Sequence, residues 1–139
     1  MNTIDFGGWR FFVEDAKAFD RYKVGKWMYF YRGEEGRAFA ERMAKEAVEQ
    51  GIVQEAKCSL RPEEGVSCYY LNCDDNDGHK RVINYFMENR MIPKTKTGKL
   101  YNISFKLDNQ TRAGEYGDDF VAELKLADLM DLVSGEWKI

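Results

Sequence analysis

A chain of 139 residues, 44% hydrophobic and 14% aromatic, has enough apolar side chain for one core-forming domain and too much for a disordered tail. Its 24 acidic and 21 basic residues leave a net charge of -3, which excludes a global field drawing in nucleic acid or anionic lipid. Any anion site must therefore be local, and no extended nucleic-acid surface is expected.

Three cysteines, Cys58, Cys68 and Cys73, form no CxxC pair and are odd in number, which points to buried thiols in a reducing compartment rather than a disulfide framework. The opening MNTIDFGGWRFF has no basic segment before an apolar one, and no 18-residue apolar run occurs. A soluble, cytoplasmic protein with no membrane partner is expected.

Residues 1–23 mix Phe6, Trp9, Phe11, Phe12, Phe19 and Tyr22 with charges around the adjacent Gly7 and Gly8. They read as an arm over the domain edge, with a short helix at 14–21. Gly25 then opens KWMYFYR, where Trp27, Tyr29 and Tyr31 alternate with Lys26, Met28 and Phe30; both faces are largely apolar, which predicts a central strand. Gly33 breaks it. Residues 34–50 place Phe39, Met43, Ala47 and Val48 at helical spacing, with Glu34 and Glu35 at the positive end of the helix dipole and Gly51 as C-terminal cap. A strand at 52–60 alternates Ala56, Cys58 and Leu60 with Glu55, Lys57 and Ser59. The turn chemistry of 61–65 joins it as a hairpin to a strand at 66–73.

The run Asp74-Asp75-Asn76-Asp77-Gly78 looks like a calcium loop, but setting Gly78 at the loop's glycine position puts Cys73 first and Asn84 twelfth, where carboxylates are required. A turn and N-cap fits better, followed by a helix at 79–90 with Val82, Ile83, Phe86 and Met87 as one apolar stripe. Pro93 stops that helix and 94–99 is a basic connector. In 100–107, Tyr101, Ile103, Phe105 and Leu107 alternate with Asn102, Ser104 and Lys106, predicting a strand with one polar face. The loop after it carries Asp108, Thr111, Arg112, Glu115 and Tyr116 among glycines, a composition suited to binding. A strand at 120–126 and a short helix at 127–133 follow. Strand pairs without intervening helices argue against an all-parallel sheet. The expected fold is α+β, a curved, mostly antiparallel sheet with two main helices on one face, in a single domain: arm 1–23, core 24–133, tail 134–139.

With helices on one face, the other collects Lys57, Ser59, Asn102, Ser104 and Lys106, with Lys26 and Arg61 as neighbours. Lysine is depleted at mid-strand positions, so several on one face predict a small anion site for phosphate or carboxylate; the alternative is an ordinary solvated face. Trp9, Trp27 and Tyr116 are the candidates to stack on a base. His79 is the lone histidine and no nucleophile motif is present, which argues against a hydrolytic triad; at a helix start, His79 reads as a surface or capping residue. Without His pairs or closely spaced cysteines, no metal, cofactor or catalytic residue is assigned.

Several blocks carry a family likeness: Gly25-Lys26-Trp27 with Phe30, Ala56-Lys57-Cys58-Ser59, residues 70–77, Arg81-Val82, and Lys106-x-Asp108-x-x-Thr111-x-x-Gly114-x-Tyr116. Together they resemble the basophilic-leukaemia-expressed-protein family, which includes bacterial proteins labelled as a phosphothreonine lyase domain. The resemblance spans residues 24–117. It implies a fold similar to the cap-binding translation initiation factor 4E, with Lys26, Lys57, Arg81, Lys106 and Arg112 lining the pocket. The chain departs from true lyases in lacking a motif-level match for their acid-catalyst histidine, and from cap-binding proteins in lacking a tryptophan pair at clamp spacing.

Three functions are compatible with this pattern. The first is binding of a nucleotide or other phosphorylated small ligand, with Lys57, Lys106 and Arg112 on the anion, Trp27 or Tyr116 against its apolar part, and Lys26, Arg81 and Thr111 nearby. The second is a phosphothreonine-lyase-like enzyme using Lys57 or Lys106 as base and Arg81 or Arg112 as phosphate holder. The third is a small acidic inhibitor of phage or bacterial origin whose runs at 74–77 and 115–119 engage a protein partner.

Overall fold

The computed structural model describes residues 1–61, 63–108 and 123–139. Among the described residues seven strands appear: β1 (Asn2–Phe6), β2 (Trp9–Val13), β3 (Val24–Tyr31), β4 (Glu55–Ser59), β5 (Gly65–Asn72), β6 (Ser104–Leu107) and β7 (Glu123–Lys125). The helices described there are α1 (Gly33–Glu49), α2 (Asn76–Glu88) and α3 (Leu126–Leu129). The strands form one sheet in the order β1-β2-β4-β5-β3-β6-β7, and every pairing is antiparallel. The fold is thus the α+β type expected, with α1 and α2 on the same face. Tyr85 of α2 donates through its hydroxyl to Met43 O of α1 (2.7 Å), and its neighbour Phe86 packs edge-on against Tyr69 of β5.

The N-terminal residues differ from the expected arm. Gly7 and Gly8 both have positive φ (60° and 82°), the backbone a two-residue hairpin loop requires, and Phe6 pairs directly with Trp9. β1 and β2 therefore extend the sheet through β4, from Trp9↔Ser59 to Val13↔Glu55. Of the helix expected at 14–21, only a 3-10 turn at Ala16–Ala18 forms.

Helix α1 ends as its glycine suggests. Gly51 has φ 75°, the Gly51 amide donates to Val48 O (3.1 Å), and that of Ile52 donates to Ala47 O (2.8 Å). Its alanine-rich face, with Ala40, Ala44 and Ala47 buried, lets the backbone lie close enough to β4 for the Cys58 thiol to reach Ala40 O at 3.5 Å. Close approach also explains Gly25, where a Cβ would fall 2.5 Å from Lys106 O and 2.7 Å from the Phe105 ring.

His79 is neither a surface residue nor a cap. Asp75 caps α2 by accepting from the Gly78 amide (2.9 Å), so the helix starts at Asn76 and turns His79 inward. There it is fully buried. The Trp27 indole N–H donates to His79 Nδ1 (3.0 Å), leaving Nε2 to carry the proton and donate to Cys73 O (2.8 Å). β3, α2 and the chain after β5 meet at this imidazole.

The strand expected at 100–107 is shorter. The Leu100 amide donates to Leu132 O and that of Tyr101 to Pro93 O, while Asn102 Oδ1 caps α3 by accepting from Ala127 N. This segment is tied to its neighbours instead of the sheet, and β6 begins at Ser104. The expected tail folds back, with Met130 bridging Trp137 and the Lys138 amide donating to Leu129 O. Among the described residues, no helix is long and apolar enough to cross a membrane.

Burial holds His79 below its ordinary pKa, and its two hydrogen bonds fit only the neutral ring. The unfolded chain therefore takes up this proton first, so stability is full above about pH 6.5 and falls as pH drops below it. Chemical denaturation at pH 7.5 and 5.5 should show that loss. In His79→Gln, whose amide can accept from Trp27 and donate to Cys73, the pH-dependent part should shrink.

Candidate functional site

Antiparallel register decides which side chains share the face away from α1 and α2. Because Trp27 points into the core, Lys26, Met28 and Phe30 of β3 point outward. The register then adds Lys106, paired with Lys26, and Cys68, paired with both Met28 and Lys57. Phe11 pairs with Lys57 and Trp9 with Ser59. Lys26, Lys57 and Lys106, all half-buried, thus lie on one outer face, where the strand patterns predict Lys57 and Lys106 and give Lys26 as a neighbour.

The lysines are not equivalent. Lys57 Nζ sits 4.0 Å above the Trp9 ring centre, with Phe11 at 5.6 Å and Tyr70 at 5.9 Å, three aromatic rings around one ammonium. Lys26 Nζ donates to Asp108 Oδ1 at 2.8 Å. Lys106 stands directly opposite Lys26 on one side and opposite Glu123 on the other. Two like charges facing across an antiparallel pair destabilise the sheet by about 0.2–1 kcal/mol, and one partly exposed ion pair to Asp108 returns about the same. Glu55 completes the group, with its pKa raised by burial and then by Asp108, against the opposing pull of Lys57.

Beyond this charged row the face becomes aromatic. Trp9, Phe30, Ser59, Val66 and Arg61 line a cleft of about 400 Å³, and Phe30, 68% exposed, separates it from a smaller depression of about 220 Å³ floored by Met28 and edged by Lys106. Phe11 and Glu55 carry no binding expectation in the sequence, Phe30 and Tyr70 enter only through the family likeness, and Asp108 enters through that likeness and as the start of the polar loop after β6. The Gly7-Gly8 hairpin was the signal that would have brought β2 and its aromatic residues beside Lys57. A larger cleft, about 660 Å³, lies between the end of α2 and the C-terminal segment, with Arg90 and Lys94 at its rim.

Other expected residues lie elsewhere. Trp27 is fully buried, with both ring contacts and its N–H engaged by Phe105 and His79, so it is a core residue and not a stacking platform. Arg81 is on α2, away from the lysines, with Nε donating to Ile52 O (3.3 Å) and its guanidinium 3.7 Å from Asp75. Asn102 caps α3 instead of facing the lysines, whereas Ser104 does share their face and accepts from Lys125 Nζ (2.8 Å). Thr111, Arg112 and Tyr116 fall outside the described residues.

Neither a comparison with protein-family models nor one with curated proteins finds a match for this chain.

Burial pushes the Cys68 thiol, within the lysine row, up to about 11 and that of Cys58 up to about 12; Cys73 is the half-exposed one. A disulfide reagent at pH 8 should therefore titrate one thiol per native chain and three in denaturant. Cys73→Ser should abolish the native reaction.

Proposed function

We propose that the outer face binds a small phosphorylated ligand with an aromatic part, a nucleotide being the type that fits. The observation that supports this reading is the adjacency of a three-lysine row and an aromatic cleft on one sheet face. Phe30 and Lys26 are four residues apart on β3, about 13 Å along the strand, and Lys57 and Lys26 are two strands apart, about 10 Å. That spacing suits an extended nucleoside diphosphate, with its base in the cleft by Trp9 and Phe30 and its phosphates over the lysines.

The energetics are compatible with such a role. Lifting the partly exposed Lys57 off Trp9 costs about 0.5–1 kcal/mol, while a hydrogen bond to a charged group contributes about 1.5–3 kcal/mol. Phosphate would also relieve the opposition of Lys26 and Lys106. A ligand on the side of the sheet away from the helices accords with the initiation-factor-4E-like arrangement and the family likeness that the sequence blocks suggest.

The enzyme reading has less support. Arg81 is engaged on the helix side, and both His79 nitrogens are used within the core. The inhibitor reading loses part of its acidic run to internal roles, since Asp74 pairs with Lys23 (2.8 Å) and Asp75 caps α2.

Thermal shift with a nucleotide panel tests the proposal. A ligand at a hundred times its Kd should stabilise the fold by about 2.7 kcal/mol, roughly 9 °C in Tm. Lys57→Glu combined with Lys106→Glu should remove the shift, and Phe30→Ala should weaken nucleotides while leaving inorganic pyrophosphate unchanged. No shift with any nucleotide or pyrophosphate, or a shift retained by the double variant, would contradict it.

A further inference from the structure

β1 forms one end of the sheet, and all five of its residues are exposed. Its hydrogen-bonding pattern follows from the loop. A two-residue hairpin makes Phe6 and Trp9 a hydrogen-bonded pair, and alternation extends this to Ile4–Phe11 and Asn2–Val13. Thr3 and Asp5 therefore turn their amides and carbonyls away from β2, toward the open edge. Sheet edges are normally blunted by proline, lysine, a bulge or an inward charge. Here the pairing with β2 is unbroken from Asn2 to Phe6, and the strand has neither proline nor lysine. Its one charge, Asp5, is neutralised by Arg10 through two hydrogen bonds (2.8 and 2.9 Å). Ile4 and Phe6 remain 50% and 77% exposed.

We propose that this edge pairs with β1 of a second copy of the chain, antiparallel about a twofold axis through Ile4, so that two seven-stranded sheets continue as one. The strand is self-complementary in that register. Thr3 of each copy meets Asp5 of the other, and their four outward amides and four outward carbonyls supply four ladder hydrogen bonds. Ile4 meets Ile4 at the closer, non-hydrogen-bonded position, which covers its exposed side chain, and Asn2 meets Phe6. No like charges oppose each other, whereas a register centred on Asp5 would set two carboxylates face to face. Charge and ladder pattern together favour a second copy over an unrelated extended segment. The contact is small, so it should be a reversible dimer.

Sedimentation velocity on the full chain from about 1 µM to about 500 µM should show monomer passing to dimer. Thr3→Pro deletes only an outward amide and leaves the β2 ladder intact; it should keep the Tm and raise the dimer Kd at least about tenfold. In a Cys73→Ser background, Ile4→Cys should give a disulfide-linked dimer on mild oxidation, and Thr3→Cys, whose partner is Asp5, should not. A monomer at every concentration overturns the proposal, including where the edge instead accepts an added extended peptide. So does a dimer that survives Thr3→Pro undiminished, or crosslinking no faster through Ile4→Cys than through Thr3→Cys.

Discussion

The inward direction of Trp27 is the constraint on which the rest of the structure depends. Its indole is fully buried, packed against Phe105 and hydrogen-bonded to a neutral imidazole that α2 supplies and Cys73 O anchors. Burying so large a side chain stabilises the fold by about 1.5–3 kcal/mol, and leaving its N–H unpaired inside would cost about 1–3 kcal/mol. The pleat of β3 cannot slip by one residue without losing both contributions. Because the period of a strand is two, fixing Trp27 also fixes Lys26, Met28 and Phe30 on the opposite face.

Register carries that decision across the sheet. Lys106 is placed by its pairing with Lys26, and Lys57 by its pairing with Cys68, the partner of Met28. What results is a mixed surface and not a bare basic one. Lys57 is stored against aromatic rings, Lys26 is paired, and Glu55 and Asp108 sit among them. Each of these contacts is worth about 1 kcal/mol or less at a partly exposed site, so none locks its lysine in place. A face held by weak, exchangeable contacts can reorganise around a dianion with little loss.

Much of this was legible in the sequence. Alternation in 52–60 and 100–107 is enough to assign Lys57 and Lys106 to a common face with Lys26 as a neighbour, and the two helices follow from their apolar stripes. The failures have specific causes. Reading 1–23 as an arm overlooked that Gly7-Gly8 is the residue pair a tight hairpin demands, and this hid the aromatic neighbours of Lys57. The strand pattern makes Trp27 a candidate platform because the sequence alone does not show that His79 packs against it. The burial of His79 is not legible locally, because its environment is set by the cap at Asp75, four residues earlier, and by a strand 52 residues away. Asn102 kept the alternation of a strand but is drawn away by the N-terminus of α3.

The central claim, that the pleat of β3 separates a ligand-binding outer face from a core fixed by Trp27, is tested most directly by two-dimensional NMR of the indole N–H groups of Trp9, Trp27 and Trp137 during a nucleotide titration. The account predicts saturable movement of the Trp9 indole signal together with the backbone amides around Lys26, Lys57 and Lys106, while that of Trp27 stays fixed. Movement of Trp27 with Trp9 unmoved, or no saturable change at any of these sites, would contradict it.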